Sequence, residues 1–234
     1  MHADIDVTLD LRGDAKGKDP DTHSETLRRY HKMLWRKPLP SGPLFDLDDA
    51  TPGCYLHHKA PQHKFCLSSD AVIPTFSYRP EITALTSPEE LEAFDSVSYT
   101  IGGMMVFPAF QIHRKWTINQ ARGCTRKIAD RFDLTLECIR RHYSDGGESP
   151  LATVLARYSE FFDLFVDFPR FVEFFLLQDL VTADGSAVKF STPFNGFNSP
   201  AIPSTAAEYR EYREAATAFI EARNRRILQS REVS

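Results

Sequence analysis

The feature that most constrains the fold is a helical hydrophobic period in the segment TINQARGCTRKIADRFDLTLECIRRHY, which begins at Thr117. At about 100° per residue, one face of a helix collects a continuous apolar stripe: Ile118, Ala121, Thr125, Ile128, Phe132, Leu136, Ile139 and Tyr143. The stripe keeps its register across Asp133, so the pattern predicts one long helix over about residues 118–143. Leu134 and Cys138 lie on the opposite side, which predicts that the middle of this helix is enclosed all round.

The residues before Thr117 show a different pattern. Residues 4–11 alternate between apolar and polar, as a half-buried strand would, and short strands separated by turn residues are predicted over about 44–78. Two helices are predicted to begin at the capping-box sequences THSE, at residue 22, and SPEE, at residue 87. This part of the chain is therefore predicted to be rich in strands.

Beyond Thr117 the pattern is helical. Helix starts are predicted at Ser149, Pro169 and Thr205, and apolar residues follow at helical spacing. The order of elements predicts an α+β fold, in which a strand-rich N-terminal half with hairpins and two short helices packs on a helical C-terminal half of about four helices. Residues 1–234 are predicted to form a single domain, with a strand-rich part at 1–116 and a helical part at 117–234.

Composition and charge exclude several classes of protein. With 42% hydrophobic and 26% charged residues, the chain is globular rather than disordered. The net charge of -4 gives no general attraction to nucleic acid or to anionic lipid, so neither is expected as a partner, although a local basic patch stays open. The sequence shows no secretory signal and no apolar run of about 20 residues. Together with four cysteines that are expected to be reduced, these features predict a cytoplasmic protein without a membrane span.

The segment CYLHHKAPQHKFC, from Cys54 to Cys66, contains the residue types of a metal site. As a hairpin with a loop at 59–62, the segment would pair His58 with His63. Side chains alternate between the two faces of a strand, so one histidine and Cys66 would point away from the others. Four tetrahedral ligands cannot converge from both faces of one ribbon, and no metal site is predicted.

His58 and Asp70 are the candidates for acid–base catalysis. The predicted hairpin places a neutral histidine pair beside the segment Ser68-Ser69-Asp70. Imidazole and carboxyl groups are the side chains that most often transfer protons near neutral pH.

The start of the predicted long helix allows two interpretations. The structural one is favoured because its patterns are common, and it consists of a capping box and two ordinary ion pairs four residues apart: Thr117 with Gln120, Arg126 with Asp130, and Glu137 with Arg141. In the functional interpretation, Asn119 and Arg122 bind an anion, because a helix N-terminus has free N–H groups and partial positive charge. Gly123 would then let a ligand or a neighbouring element approach the backbone.

Several blocks of the sequence resemble an uncharacterised bacterial family that is defined only as a domain of unknown function. These blocks span about residues 4–228 and are TLRRYHKMLWRKPLPSG, YLHH…FCLSSD, TINQARG…IADRFDLTLECIRRHY, VLARYSEFFDLF, FFLLQDLV and FIEARNRRI. The resemblance implies a bacterial origin and a single compact domain. It implies no activity and no catalytic residue.

Two hypotheses of function follow. In the first, the protein is a small-molecule binding protein or an enzyme for an anionic ligand, such as a nucleotide. His58 and Asp70 are the candidate catalytic residues of this hypothesis, and Asn119 and Arg122 are its candidate ligand-binding residues. All four side chains would face one cavity. The alternative is a non-catalytic protein–protein interaction protein that uses an exposed aromatic or basic face. The sequence lacks the common catalytic motifs, indicates no cofactor, and does not decide whether the protein is an enzyme.

Overall fold

A four-stranded antiparallel sheet occupies the first half of the computed structural model, which describes residues 4–48, 56–59, 64–72, 80–144 and 147–232. Its strands lie side by side in chain order: β1 (Leu47–Asp48), β2 (Leu56–Lys59), β3 (Lys64–Ala71) and β4 (Met104–Pro108). Every neighbouring pair is antiparallel. The long central strand β3 therefore bonds to strands on both sides, and its side chains alternate between the two faces of the sheet.

The register of β2 and β3 differs from the predicted one by two residues. His58 pairs with Phe65, whereas the sequence analysis paired it with His63, which lies outside the described residues. Because the shift is an even number of residues, the predicted faces are retained. His58 and Phe65 share one face, and Cys66 and Asp70 project from the other.

Helices also contribute to the first half. They are α1 (Leu11–Asp14), α2 (Pro20–His23), α3 (Glu25–Trp35), α4 (Pro80–Thr83) and α5 (Pro88–Ser98). The strand predicted at residues 4–11 is wrong, because Asp10 caps a short helix that begins at Leu11. The capping box predicted at Ser87 is confirmed at the start of α5. The one predicted at Thr22 is wrong, because Ser24 caps α3.

The second half is helical, which confirms the predicted α+β class. Its helices are α6 (Ile118–Cys124), α7 (Phe132–Tyr143), α8 (Ala152–Arg157), α9 (Ser159–Asp163), α10 (Phe168–Phe174) and α11 (Ala206–Glu232). Helix α11 begins with the predicted cap, since the backbone N–H of Glu208 donates to the Thr205 hydroxyl. Within the described part of the chain, no helix is both long and apolar enough to cross a membrane.

The single helix predicted over 118–143 is wrong. Helix α6 ends at Cys124, and the chain passes through left-handed backbone at Ala129 (φ 46°) and Asp130 (φ 66°) before α7 begins. The apolar stripe still keeps its period, because Ile128 and its neighbours are buried within the turn. Hydrophobic periodicity records which side chains are buried, and it does not record whether the backbone between them is hydrogen-bonded as a helix.

Aromatic side chains connect the two halves in one hydrophobic core. Phe165 contacts Phe171, Phe174 and Phe175 with ring centroids 5.0–5.3 Å apart. From the first half, Trp35 packs against Phe175 at 5.3 Å. The phenylalanines of the second half are therefore core residues, as the composition suggests.

The last helix, α11, is tied to the backbone of the turn that precedes β4. Arg223 is fully buried and donates to the carbonyl oxygens of Gly102 (2.9 Å) and Met104 (2.8 Å). The N–H of Gly102 donates in turn to Asn224 Oδ1 at 2.8 Å. Hydrogen bonds to backbone groups at both ends of this turn fix α11 against the sheet.

Candidate carboxylate site on Arg122

Arg122 lies on α6 with its guanidinium buried between the sheet and α7. Its Nη1 donates to Asp70 Oδ2 at 2.6 Å, its Nη2 to the carbonyl oxygen of Asp130 at 3.0 Å, and its Nε to Thr135 Oγ1 at 3.0 Å. The side chain is 0% exposed. The guanidinium is therefore held by acceptors from three parts of the chain.

Three carboxylates surround this one cation. Asp70 comes from β3, Asp130 from the turn between α6 and α7, and Asp21 from α2, which packs on β3. Their side chains are largely enclosed, with exposed fractions of 19% for Asp70 and 11% for Asp130. One arginine cannot neutralise three ionised carboxylates, so the cluster favours a bound proton or a hydrogen-bond donor.

Burial raises the pKa of Asp21 to about 8, and the negative charges of Asp70 and Asp19 add to the rise. Burial also raises the pKa of Asp70, against the opposing effect of Arg122. A carboxyl group that remains protonated near neutral pH can donate a proton, and an ionised neighbour can accept one. This arrangement has the elements of an acid–base pair.

Three buried oxygen atoms on Asn119 and the clustered aspartates accept no hydrogen bond from the residues that the structure describes. They are Asp21 Oδ1, Asp130 Oδ1 and Asn119 Oδ1, and Asp130 Oδ1 lies 3.5 Å from Arg122 Nη2. The Asn119 amide is oriented by its own donor, because Nδ2 donates to Ser68 Oγ at 3.1 Å. Buried polar atoms nearly always bind a donor, from the protein, from water or from a ligand. These acceptors therefore favour a ligand with O–H or N–H groups.

The local sequence explains how these residues meet. Asn119 and Arg122 are three residues apart on α6 and thus point to the same side of that helix. Ser68 and Asp70 are two residues apart on β3 and project from the same face of the sheet. Packing α6 on this face brings the two pairs together.

The structure brings three of the four predicted site residues together, namely Asn119, Arg122 and Asp70. His58 lies on the opposite face of the sheet, where its ring packs against Phe45 (4.5 Å) and stacks on Phe65 (6.2 Å). Burial lowers the pKa of His58. His58 and Asp70 therefore form no acid–base pair with each other.

The capping box at the start of α6 is confirmed. The Thr117 N–H donates to Gln120 Oε1 (3.0 Å), and the Gln120 N–H donates to Thr117 Oγ1 (3.3 Å). These two hydrogen bonds occupy backbone N–H groups at the helix start, which the anion-binding interpretation left free for a ligand. Because the Arg122 guanidinium is also occupied, an anion at this helix end would have to displace Asp70.

Of the two ion pairs predicted along this segment, one is confirmed. Glu137 lies 2.7 Å from Arg141. Asp130 is not part of a helix and faces Arg122, so the pair with Arg126 does not form.

Sequence reasoning missed Asp21 and Asp130. Asp130 was expected opposite the apolar stripe of a continuous helix, paired with Arg126, and no local pattern reveals the turn that places it beside Arg122. Asp21 belongs to the polar segment GDAKGKDPD, for which the sequence pattern indicates a loop. The sequence Asp19-Pro20 is the pattern of a capped helix start and could have revealed α2, but the packing of α2 on β3 is a tertiary contact.

The histidine–cysteine segment supplies no metal site in the part that can be described. His57 pairs with Cys66 on one face of the sheet, and His58 is on the other. Across the described ranges, no group of three or more His, Cys, Asp and Glu side chains is arranged to hold a metal ion. Cys54 and His63 lie outside these ranges.

These features define an α+β protein with a buried arginine–carboxylate cluster between its sheet and its first C-terminal helices. The chain belongs to a family of unknown function, DUF6994, whose profile matches residues 5–227. No curated protein and no solved structure is similar enough to the chain to count as a match.

Proposed function

We propose that the protein is a small-molecule binding protein or an enzyme whose site is the cluster of Asp21, Asp70, Asp130, Asn119 and Arg122. The observation that supports this proposal is the set of three buried acceptor oxygens that receive no hydrogen bond within the described ranges, one of them on Asp21, whose pKa is raised by burial.

The ligand in this proposal presents hydroxyl or amino groups to the cluster. Carboxylates accept hydrogen bonds from such groups and repel phosphate. An anionic ligand such as a nucleotide fits if its ribose hydroxyls or its base amino group meet the aspartates while its phosphates lie elsewhere.

The chemistry proposed for the cluster is proton transfer. Asp21, the carboxyl of the cluster that forms no ion pair with a described residue, acts as the general acid, and Asp130 accepts a hydrogen bond from the ligand. Arg122 positions Asp70 and Asp130 by binding both. Its positive charge also keeps the cluster from accumulating several protons.

A thermal-shift screen tests the proposal, with nucleosides, nucleotides, sugars and small amines as separate sets. A ligand that binds the folded protein raises its melting temperature in proportion to ln(1 + [L]/Kd). The expected result is a stabilising compound whose effect is lost in Asn119→Ala and kept in the control Gln111→Ala, an amide exposed near α6. A screen without any stabilising compound, or a shift that Asn119→Ala leaves unchanged, would contradict it.

The proposed setting is the cytoplasm of a bacterium, in a chain that forms a single domain. Cys124 and Cys138 are free thiols, which supports a reducing compartment. The resemblance to an uncharacterised bacterial family supports the bacterial origin. The hydrophobic core that the two halves share supports a single domain.

A non-catalytic interaction protein is the second candidate function. The observation that favours it is the exposure of two aromatic side chains on one loop, Trp116 (54%) and Phe110 (40%). Exposed aromatic rings are enriched at protein–protein interfaces.

A further inference from the structure

The exposed aromatic residues belong to a segment of unusual charge. From Ser96 to Ala129 the sequence contains no Asp or Glu, although the chain has 32 of these residues. The same segment contains five of the 28 lysines and arginines: Arg114, Lys115, Arg122, Arg126 and Lys127. A chain that is acidic overall thus has one locally basic region.

The backbone of this region is held in place while its aromatic rings face solvent. Arg157 Nη2 donates to the carbonyl oxygen of Trp116 at 2.7 Å, and Tyr158 Oη donates to the carbonyl oxygen of Phe110 at 2.7 Å. Both anchoring residues lie on the packed α8–α9 segment. The exposure of the rings is therefore built into the fold.

Between the two rings, the backbone adopts a conformation that is costly for residues other than glycine. His113 and Arg114 have φ values of 53° and 59°. Such left-handed residues persist only where the surrounding structure holds them, and they concentrate at functional sites. Here they lie in a loop whose His113, Arg114 and Lys115 side chains are all exposed.

The basic side chains of the region are available to a partner. Arg114, Lys115, Arg126 and Lys127 are exposed, and none of them forms an ion pair with a residue of the described ranges. Arg122 differs, because it is buried and bound to Asp70. Arg114 and Lys115 lie on the same loop as the two exposed rings, whereas Arg126 and Lys127 follow α6.

We propose that this aromatic–basic surface, formed by Phe110, Arg114, Lys115 and Trp116 on one loop, docks an acidic segment of a protein partner. Charge complementarity selects the partner, and the two rings supply the apolar contacts that dominate interface energies.

A protein segment fits this surface better than a nucleic acid or a bilayer does. Both of these are extended polyanions, and proteins that bind them usually carry a basic domain. This chain has a net charge of -4 and a pI near 6.1, so its field repels an extended anionic surface beyond the patch. A short acidic segment contacts the patch alone.

The proposal identifies the partner class for the second candidate function and does not depend on the carboxylate cluster. Failure of the experiment below would leave the ligand screen unaffected, and failure of that screen would leave this surface untouched.

Trp116 provides a direct reporter, because the other tryptophan, Trp35, is fully buried. The probes are a synthetic peptide of alternating Glu and Phe, its Lys-for-Glu counterpart, oligothymidylate, and vesicles of phosphatidylserine and phosphatidylcholine. The expected result is a saturable change in tryptophan emission with the acidic peptide alone, weakened by added salt. Anisotropy of a fluorescein-labelled copy of the peptide gives an independent measure of affinity.

The matched variants separate the surface from general charge. We expect Arg114→Glu/Lys115→Glu to weaken peptide binding at least about tenfold. Lys16→Glu/Lys18→Glu makes the same charge change at exposed positions elsewhere and should leave binding within about twofold. Circular dichroism confirms that both variants fold. No saturable binding, equal loss in both variants, or tighter binding of oligothymidylate or vesicles would overturn the proposal.

Discussion

The guanidinium of Arg122 and the carboxylate of Asp70 lie 2.6 Å apart and join segments that are 52 residues apart in the sequence. Their pair links α6 to the central strand of the sheet. Because Arg122 is fully enclosed, its removal leaves the largely enclosed carboxylates of Asp70 and Asp130 without the cation that both contact.

Arg122→Ala should lower the free energy of unfolding by about 3–5 kcal/mol, the usual cost of breaking a buried ion pair from one side. Urea denaturation of the variant and the parent measures this difference. Arg36→Ala is the matched control, since Arg36 and Asp46 lie 2.7 Å apart with side chains 57% and 42% exposed. That change should cost less than about 1 kcal/mol. Similar losses in the two variants would show that the Arg122 pair is not buried.

Asp21→Asn should reduce the decline of stability with rising pH. The pKa of Asp21 is about 8 in the folded protein, above its ordinary value of 3.8. Between these two values the folded state keeps a proton that the unfolded chain has released, so stability falls as pH rises, by up to about 1.4 kcal/mol per pH unit. Unfolding free energies measured between about pH 5 and pH 8 test this, because the asparagine variant lacks this proton.

Asp184→Asn is the control for that experiment. Hydrogen bonds from Thr182 and Ser186 lower the pKa of Asp184 to about 2. The stability that this group contributes is complete above its ordinary pKa of 3.8 and is lost only as the pH falls through that range. The variant should therefore keep the parent's slope between pH 5 and 8, and an equal slope in Asp21→Asn would refute the assignment.

Gly103→Ala should destabilise the protein by about 1–3 kcal/mol or more, because overpacking distorts the backbone. A Cβ at Gly103 would lie 1.9 Å from the carbonyl oxygen of Ser98. Gly123→Ala is the contrasting case, since a Cβ there meets no atom within 4 Å. That change should be neutral or stabilise α6 by at most about 1 kcal/mol. Melting curves of the two variants should therefore move in different directions or by clearly different amounts.

His31 should remain neutral across the physiological pH range, with its proton on Nε2. Trp35 Nε1 donates to His31 Nδ1 at 3.0 Å, and His31 Nε2 lies 2.9 Å from Ser69 Oγ. Burial lowers the pKa of His31 to about 3. The unfolded chain binds a proton below about pH 6.5 and the folded one does not, so this histidine reduces stability as the pH falls. Nitrogen-15 NMR of the ring should show one tautomer and no titration between about pH 5 and pH 8.

Helix starts and strand faces could be predicted wherever a short sequence pattern, such as a capping box or an alternation of apolar and polar residues, determines them. The box at Ser87 opens α5, the box at Thr117 opens α6, and alternation placed His58 and Cys66 on opposite faces. Each of these patterns extends over only a few residues, so contacts between neighbours in the sequence are enough to form the structure that it predicts.

The candidate site could be predicted only in part, because it depends on contacts between distant segments. Spacing on α6 grouped Asn119 with Arg122, yet nothing in the sequence indicates that Asp70 would neutralise the arginine. Asp130 reached the site only through left-handed backbone that the apolar period conceals. The burial of a charged group is a tertiary property, and it is this property that changed the expected anion site into a cluster of acceptors.

The bonds from Arg223 and Asn224 to the Gly102 turn have a consequence for biosynthesis. Residues more than a hundred positions downstream supply the partners of Gly102, so the chain must leave the ribosome as far as Asn224 before that turn is satisfied. A nascent chain that stops short of Arg223 exposes these amide groups and the apolar strand beside them. Exposed apolar surface of this kind favours aggregation, and the native turn becomes accessible only after Arg223 and Asn224 have been synthesised.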